Sequence, residues 1–222
     1  CLTVGMVFKQ PLRQTQGLMR SIAKLLGVEI SVPNFSTLSR RRSGLILRVA
    51  PRAENQPSIQ LVVDSTGLKI FGEGEWLEKK HKAKGKRKSW RKLHLGLDLV
   101  SGEIVCSDLT MDDIGDPTTL PGLLDQIKGP VEKFLADGAY DGEPTVNALT
   151  DRFGTLIEVI IPPPKNAILS PDAAQSPSAR DRHIAEIEAH GRMAWQKSSG
   201  YNQRSRIEAH IGRRKTVIGP KL

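Results

Sequence analysis

Cysteine is almost missing from this sequence: 222 residues contain only Cys1 and Cys106. Two cysteines cannot build a disulfide scaffold or a cysteine-rich zinc module, and their scarcity suggests a reducing compartment. No apolar run approaches the ~18 residues that a membrane span needs. The histidines, His81, His94, His183, His190 and His210, are scattered, and none has a second metal ligand at helical spacing. Gly72-Glu73-Gly74 lacks the third glycine of a dinucleotide loop. Asp64-Ser65-Thr66-Gly67 has one residue too many for an aspartic-protease triplet. The chain opens on Cys1 rather than Met, so we read it as a fragment with a start or a signal peptide cut off. The remaining composition, 38% hydrophobic and 26% charged, describes a soluble globular protein that can bury a core. Its length suits one catalytic-size domain, with or without a small appendage.

The charge is unevenly placed. Lys plus Arg is 33 and Asp plus Glu is 24, a net +9. Nine of those bases fall between Lys79 and Lys92: Lys79, Lys80, Lys82, Lys84, Lys86, Arg87, Lys88, Arg91 and Lys92, with no acid among them. The rest of the chain is then balanced, 24 against 24. A single basic stripe points to a polyanion, nucleic acid first; a solvated hairpin tip is the plainer alternative. Trp76 and Trp90 flank the stripe, placed either to stack on a base or to pack into the core.

The organisation follows from periodicity. Residues 1–57 read as a helical segment and linker. Leu18, Ile22, Leu25 and Leu26 make one apolar helix face within Leu12–Leu26, and Gly27 ends it. A turn at Pro33-Asn34 leads to a short segment carrying Arg40, Arg41 and Arg42. That layout is compatible with a DNA-binding helix-turn-helix and equally with a plain helical hairpin that has a basic end. Ala50 to Pro57 reads as the linker, and residues 58–222 as the main domain.

In the main domain, Ile59–Val63 is an apolar run ending in Asp64, a strand buried on both faces. Leu93, Leu95, Leu97 and Leu99 alternate with His94, Gly96 and Asp98, a strand with one buried face. Ser101-Gly102 turns the chain into a third strand, Ile104–Leu109, and Asp98 belongs to that hairpin. Asp116-Pro117 reads as a helix cap with Pro at the first helical position, followed by Leu120, Leu123, Leu124 and Ile127 at helical spacing. Val131–Ala136 is a fourth strand that delivers Asp137. A helix over Gly142–Phe153 buries Val146, Leu149 and Phe153, and Leu156–Ile161 is the fifth strand. Residues 162–180 hold five prolines and read as an exposed loop, and helices follow at about 181–190 and 200–215. Three antiparallel strands and two α/β crossovers predict a mixed five-stranded sheet covered by helices, in the order of the ribonuclease H fold.

Enzymes of that fold cut phosphodiesters with carboxylates that hold two divalent metals ~3.5–4 Å apart. Three acids fit by position. Asp64 sits at the end of an apolar run with no structural use for a charge, Asp137 follows the neighbouring strand, and Glu208 is on the last helix. Strand-end aspartates often cap turns, the plainer reading for Asp137 before Gly138, while a strand-interior carboxylate such as Asp64 needs a partner; neither alone decides the matter. On a continuous α-helix Tyr201, Arg204, Glu208 and Lys215 fall at about 0°, −60°, −20° and −40°, one polar stripe. Ile207 and Ile211 lie beside it, facing a sheet, while Arg206, His210 and Arg213 point elsewhere. Asp112 and Asp113 read as loop and cap residues, and Cys106 as a small core residue.

Tyr201-(2)-Arg204-(3)-Glu208-(6)-Lys215 resembles, without a gap, the signature around the third catalytic acid of bacterial insertion-sequence transposases of the DDE class. Other stretches are similar to the same family: Val62 to Gly67, Trp90 to His94, Ala136 to Asp141, and Ile161 to Asn166. Leu12 to Thr15 through Leu38 to Arg41 resembles the helical region preceding the catalytic domain in the IS-five-type branch. The resemblance implies that Asp64, Asp137 and Glu208 are the catalytic, metal-binding triad, holding two Mg²⁺ or Mn²⁺ ions. Tyr201, Arg204 and Lys215 would contact DNA near the cut. The basic stripe and Arg40, Arg41 and Arg42 would bind double-stranded DNA, both the terminal inverted repeats and the target. A homodimer on DNA, in the cytoplasm at the bacterial nucleoid, is implied with them. Against that family the chain is read as truncated at both ends. A truncated, non-catalytic repressor and a host nuclease of the same fold are the rival readings.

Overall fold

Five strands surround a core that the apolar run of the first strand anchors. In the computed structural model, which describes residues 1–44, 57–70 and 90–219, strand β1 (Ile59–Lys69) keeps Leu61, Val62 and Val63 fully buried. It pairs antiparallel with β2 (Trp90–Asp98) and parallel with β4 (Val131–Leu135). β3 (Ile104–Met111) lies against β2 and β5 (Glu158–Ile160) against β4, in the order β3-β2-β1-β4-β5. Helix α4 (Asp116–Leu124) leads from β3 to β4, and α5 (Glu143–Phe153) from β4 to β5. This is the mixed, helix-flanked, ribonuclease H-like sheet expected from the sequence.

Because side chains alternate along a strand, β1 serves two cores. Leu61 and Val63 pack with Cys106, Phe134, Leu120, Leu123, Leu124, Ile127 and Leu149. Val62 packs with Leu95, Leu97, Leu135, Trp195, Ile207 and Ile211. Each fully buried Leu, Ile or Val adds about 1.5–3 kcal/mol. The second core is roofed by α6 (Ala179–His190), α7 (Arg192–Ser198) and α8 (Ser205–Val217). Ser178 starts α6 with a reciprocal capping box to Asp181. Asp181 also accepts the Ser170 amide at 2.8 Å, which ties down the proline-rich loop.

Several expectations are corrected. β1 is longer than the Ile59–Asp64 run and continues to Lys69. β2 is buried on both faces from His94 onward, because it lies inside the sheet with a core on either side. Gly96 permits this: a Cβ there would collide with the Cys106 thiol. Gly115, not Asp116, caps α4; Asp116 is its first residue. In α5 Val146 is exposed, while Thr145 and Leu149 are buried. Helix α7, with the fully buried Trp195, is an addition that the sequence did not announce.

The chain divides into two compact units, Cys1–Ala50 with Arg213–Pro220, and Pro51–Gly212 with Lys221–Leu222. The first contains α1 (Leu2–Val7), α2 (Leu12–Leu25) and α3 (Phe35–Ser43). Leu25 and Leu26 are 86% and 70% exposed, contrary to the expected apolar face. Thr15 and Ala23 are the residues α2 buries, because short side chains let the neighbouring helices approach. Asn34 caps α3 by accepting the Thr37 amide, and Gln16 accepts the Phe35 amide at 3.0 Å. Arg40, Arg41 and Arg42 are exposed in its last turn. All of the expected linker except Pro57 lies outside the described residues.

Candidate active site

The three expected acids come from three separate elements and meet at one guanidinium. Asp64 points from β1 toward the Val62 side of the sheet, next to α8. Its Oδ1 accepts the Ser65 amide at 2.9 Å and Arg204 Nη2 at 3.0 Å. Asp137 follows β4 and caps the short 3-10 turn Gly138–Tyr140 by accepting the Ala139 amide at 3.0 Å. Its Oδ2 is 4.0 Å from the same Arg204 Nη2. Glu208 Oε1 accepts Arg204 Nη1 at 2.7 Å, one turn along α8. Side-chain exposure rises from 13% at Asp64 to 37% at Asp137 and 55% at Glu208, so the cluster opens at the Glu208 end.

The electrostatics follow that gradient. Burial pushes the Asp64 carboxyl above its ordinary pKa; Arg204 pulls it back and the charge of Asp137 pushes it up again. Burial would weaken the hold of Arg204 on its proton, but Asp64, Tyr201, Asp137 and Glu208 outweigh it and raise that pKa. Tyr201 is raised by burial. Its ring stacks on Trp195 at 5.4 Å, and it stands in a 3-10 turn, Tyr201–Arg204, not in the continuous α-helix expected. Ile207 and Ile211 are buried as expected, and Arg206 turns away to donate to the Leu99 carbonyl.

The other expected residues are placed as follows. Lys215 is half-buried in the last turn of α8. Arg91 is half-buried on β2. Lys92 is engaged: its ammonium lies 3.1 Å from Asp116 Oδ1 and donates to the Ile114 carbonyl at 2.9 Å. Lys79, Lys80, Lys82, Lys84, Lys86, Arg87, Lys88 and Trp76 lie outside the described residues. Trp90 is half-buried beneath the Lys69 ammonium. Asp98 is fully buried and holds its hairpin through the Val100 and Ser101 amides and the Ser101 hydroxyl. Cys106 is buried, its thiol pushed up to about 12.

Asp116 is what sequence reasoning missed. It reads as a cap, yet its Oδ2 accepts the Ser65 hydroxyl at 3.1 Å, immediately beside Asp64. Burial first, then the charges of Asp116, Asp137 and Asp64, raise the pKa of Tyr140, which places Asp116 in the same electrostatic neighbourhood. The strand register could have found it: Ser65 pairs with His94, two residues from Lys92, so all three share the face that α4 covers.

Three carboxylates facing one cation are a hard-oxygen donor set, the chemistry that suits Mg²⁺ or Mn²⁺. With the guanidinium among them, the cluster is spaced as a salt-bridge network. Among the described residues no three His, Cys, Asp or Glu side chains are grouped to hold a metal ion as they stand. The donor types fit a divalent cation, and Arg204 is the cation the three acids pair with.

Two family models, each described as a transposase DDE domain, match this chain, one over residues 1–73 and the other over residues 55–219. The second covers the whole sheet, both cores and the acid cluster. A transposition enzyme of that family acts on DNA and typically uses divalent metal. The chain belongs to the DDE transposase family.

Proposed function

We propose that this protein cleaves DNA at the ends of its own insertion sequence and joins the freed 3′-hydroxyl to target DNA, with Asp64, Asp137 and Glu208 as the catalytic acids. The observation that carries the reading is the meeting of these acids, from β1, β4 and α8, at the single Arg204 guanidinium. Partly buried like charges repel, so three acids converge only around a cation, here Arg204.

In this reading Asp64, Asp137 and Glu208 would hold two divalent ions. Divalent ions there would supply activation of the attacking oxygen and neutralisation of the leaving one. The protein's own part is positioning. Asp64 is fixed by the Ser65 amide and Asp137 by the Ala139 amide, while Glu208 rides on a helix anchored by Ile207 and Ile211. Arg204 balances the acids while DNA and metal are absent and turns to the DNA backbone when they bind. Tyr201, braced by Trp195, and Lys215 contact DNA near the cut. The basic stripe from Lys79 to Lys92 and the exposed Arg40, Arg41 and Arg42 grip phosphates of the terminal inverted repeats and the target. The signature residues support membership of the IS-five-type branch, with the protein working as a homodimer on DNA at the bacterial nucleoid.

The test is incubation of the protein with DNA carrying its element's ends, in Mg²⁺ and then in Mn²⁺. Metal-dependent nicking at the ends together with strand-transfer products supports the reading. Nicking without joined products identifies a nuclease, and binding without nicking identifies a repressor.

A further inference from the structure

Asp64 and Ser65 are neighbours on β1, so their side chains leave opposite faces of the sheet. Asp64 faces Arg204, and Ser65 faces the N-terminal turn of α4. There the Ser65 hydroxyl donates to Asp116 Oδ2 at 3.1 Å, while the Ser65 amide donates to Asp64 Oδ1 at 2.9 Å. One residue thus links the carboxylates of Asp116 and Asp64. Asp116 is itself held. Its Oδ1 is 3.1 Å from Lys92 Nζ and 3.7 Å from His94 Nδ1. His94 is fully buried at the position paired with Ser65, and its Nε2 is 2.9 Å from the Thr110 hydroxyl. Lys92 is in turn fixed by the Ile114 carbonyl at 2.9 Å. Side chains from β1 and β2 therefore converge on Asp116 of α4, and through Ser65 they end at one oxygen of Asp64.

We propose that Asp116, gripped by Lys92 and backed by His94, is a positioning residue that acts through Ser65 to fix the Asp64 carboxylate for the divalent cation. This rests on the reading of Asp64 as a metal-holding acid. A carboxylate set in the middle of a strand has few routes to orientation. On its own face Asp64 is held by Arg204, whose guanidinium is shared with Asp137 and Glu208. The Ser65 amide is a second partner, and the position of that amide depends on where the Ser65 side chain is tied. Groups that orient a ligand without touching the ion are worth roughly 10–100-fold in metal affinity. Asp116 touches no reacting atom, so its loss is felt as looser metal binding rather than as a missing ligand.

The experiment is a Mn²⁺ titration of the DNA-free protein, followed by the electron paramagnetic resonance signal of free Mn²⁺, with thermal unfolding measured on the same samples. The variants are Ser65→Ala, Ser65→Thr, Asp116→Ala and Asp64→Asn. Ser65→Ala and Asp116→Ala are expected to weaken Mn²⁺ binding by about tenfold or more. Ser65→Thr keeps the hydroxyl and is expected to bind within about twofold of wild type, which a purely steric role for the site would not produce. Should Asp116→Ala fail to fold, the Ser65→Ala and Ser65→Thr pair decides alone. A folded Ser65→Ala protein with wild-type Mn²⁺ affinity overturns the positioning role, as does Ser65→Thr binding as weakly as Ser65→Ala. Wild-type affinity in Asp64→Asn overturns the metal reading of Asp64 itself, a separate failure recognisable from that variant alone.

Discussion

Asp64 and Ser65 are consecutive residues whose surroundings have little in common. On the Asp64 side the sheet ends in charge: three acids share one arginine, and exposure increases outward to Glu208. On the Ser65 side the polar groups are enclosed, with His94 and Asp98 fully buried and Gly96 pressed against Cys106. The first side is held by ion pairs that a competing cation or phosphate can exchange. The second is held by hydrogen bonds, by the Lys92–Asp116 ion pair and by tight packing around Gly96. The difference sets two regimes along one strand: ion pairs that grow more exposed toward Glu208 on one face, enclosed polar groups and tight packing on the other. Substitutions on the first face should therefore cost activity, and those in the packed part of the second, around Gly96 and Asp98, should cost stability.

The largest expected effect is on the open face. Asp64→Asn, Asp137→Asn and Glu208→Gln should each lower cleavage of element-end DNA by roughly a thousandfold or more, about 4 kcal/mol at the barrier. Binding of the same DNA, measured by gel shift, should stay near wild type. Unfolding should barely move for Asp64→Asn, since burial already disfavours the charge that this change removes. A variant that loses stability in place of activity would break the comparison.

The basic stripe bears on binding rather than on either face. Neutralising Lys82, Lys84, Lys86 and Lys88 together should flatten the log–log salt dependence of DNA binding by about 0.9 for each phosphate that is no longer neutralised. An unchanged slope would move the DNA-binding role to Arg40, Arg41 and Arg42.

On the enclosed face, Gly96→Ala should destabilise the protein by about 1–3 kcal/mol, because the new methyl meets Cys106 Sγ and, at 3.1 Å, Leu61 Cδ1. Adding Cys106→Ala should return part of that loss in urea unfolding. A fully additive pair would show that the thiol is not the obstacle.

The smallest effect should come from Asp98→Asn, about 1–2 kcal/mol at neutral pH. Burial would raise the Asp98 pKa, but hydrogen bonds from Ser101, Val100 and Gln60 win and hold it below its ordinary 3.8. A depressed carboxylate pKa stabilises the fold above the unfolded value, and that stability is lost as pH falls through the folded one. The gap between wild type and variant should therefore be widest near neutrality and close as the pH falls below about 3.8. A gap that persists in acid would assign the effect to amide geometry rather than to charge.

Much of the fold was legible because local patterns agreed with the topology. The Ile59–Val63 run, the Ser101-Gly102 turn and the Leu120 to Ile127 spacing each pointed to the element found. Failures came where a neighbour unseen in the sequence decided. Leu93 to Leu99 alternates like a half-exposed strand, yet a core lies on either face of β2, so Gly96 and His94 are as buried as Leu97. Asp116-Pro117 reads as a helix start, and it is one, but strand register puts Ser65, His94 and Lys92 against the carboxylate. The helical spacing of Tyr201, Arg204 and Glu208 marked them as one polar group, and strand position in the expected fold marked Asp64 on β1 and Asp137 after β4, with the resemblance then naming the three acids together. That a single arginine would join all three acids could not be read from spacing, because it depends on side-chain reach across the sheet.

The central claim is that Arg204 stands among three acids where divalent cation belongs. The most direct measurement is Mn²⁺ affinity of the DNA-free protein with Arg204→Gln beside wild type. Removing a positive charge about 3–4 Å from the carboxylates should tighten Mn²⁺ binding by at least about tenfold, since charges at such separations interact by several kcal/mol at a partly buried site. The account predicts that tightening, and its disappearance when Asp64→Asn is added. Unchanged or weaker Mn²⁺ binding in Arg204→Gln would contradict it.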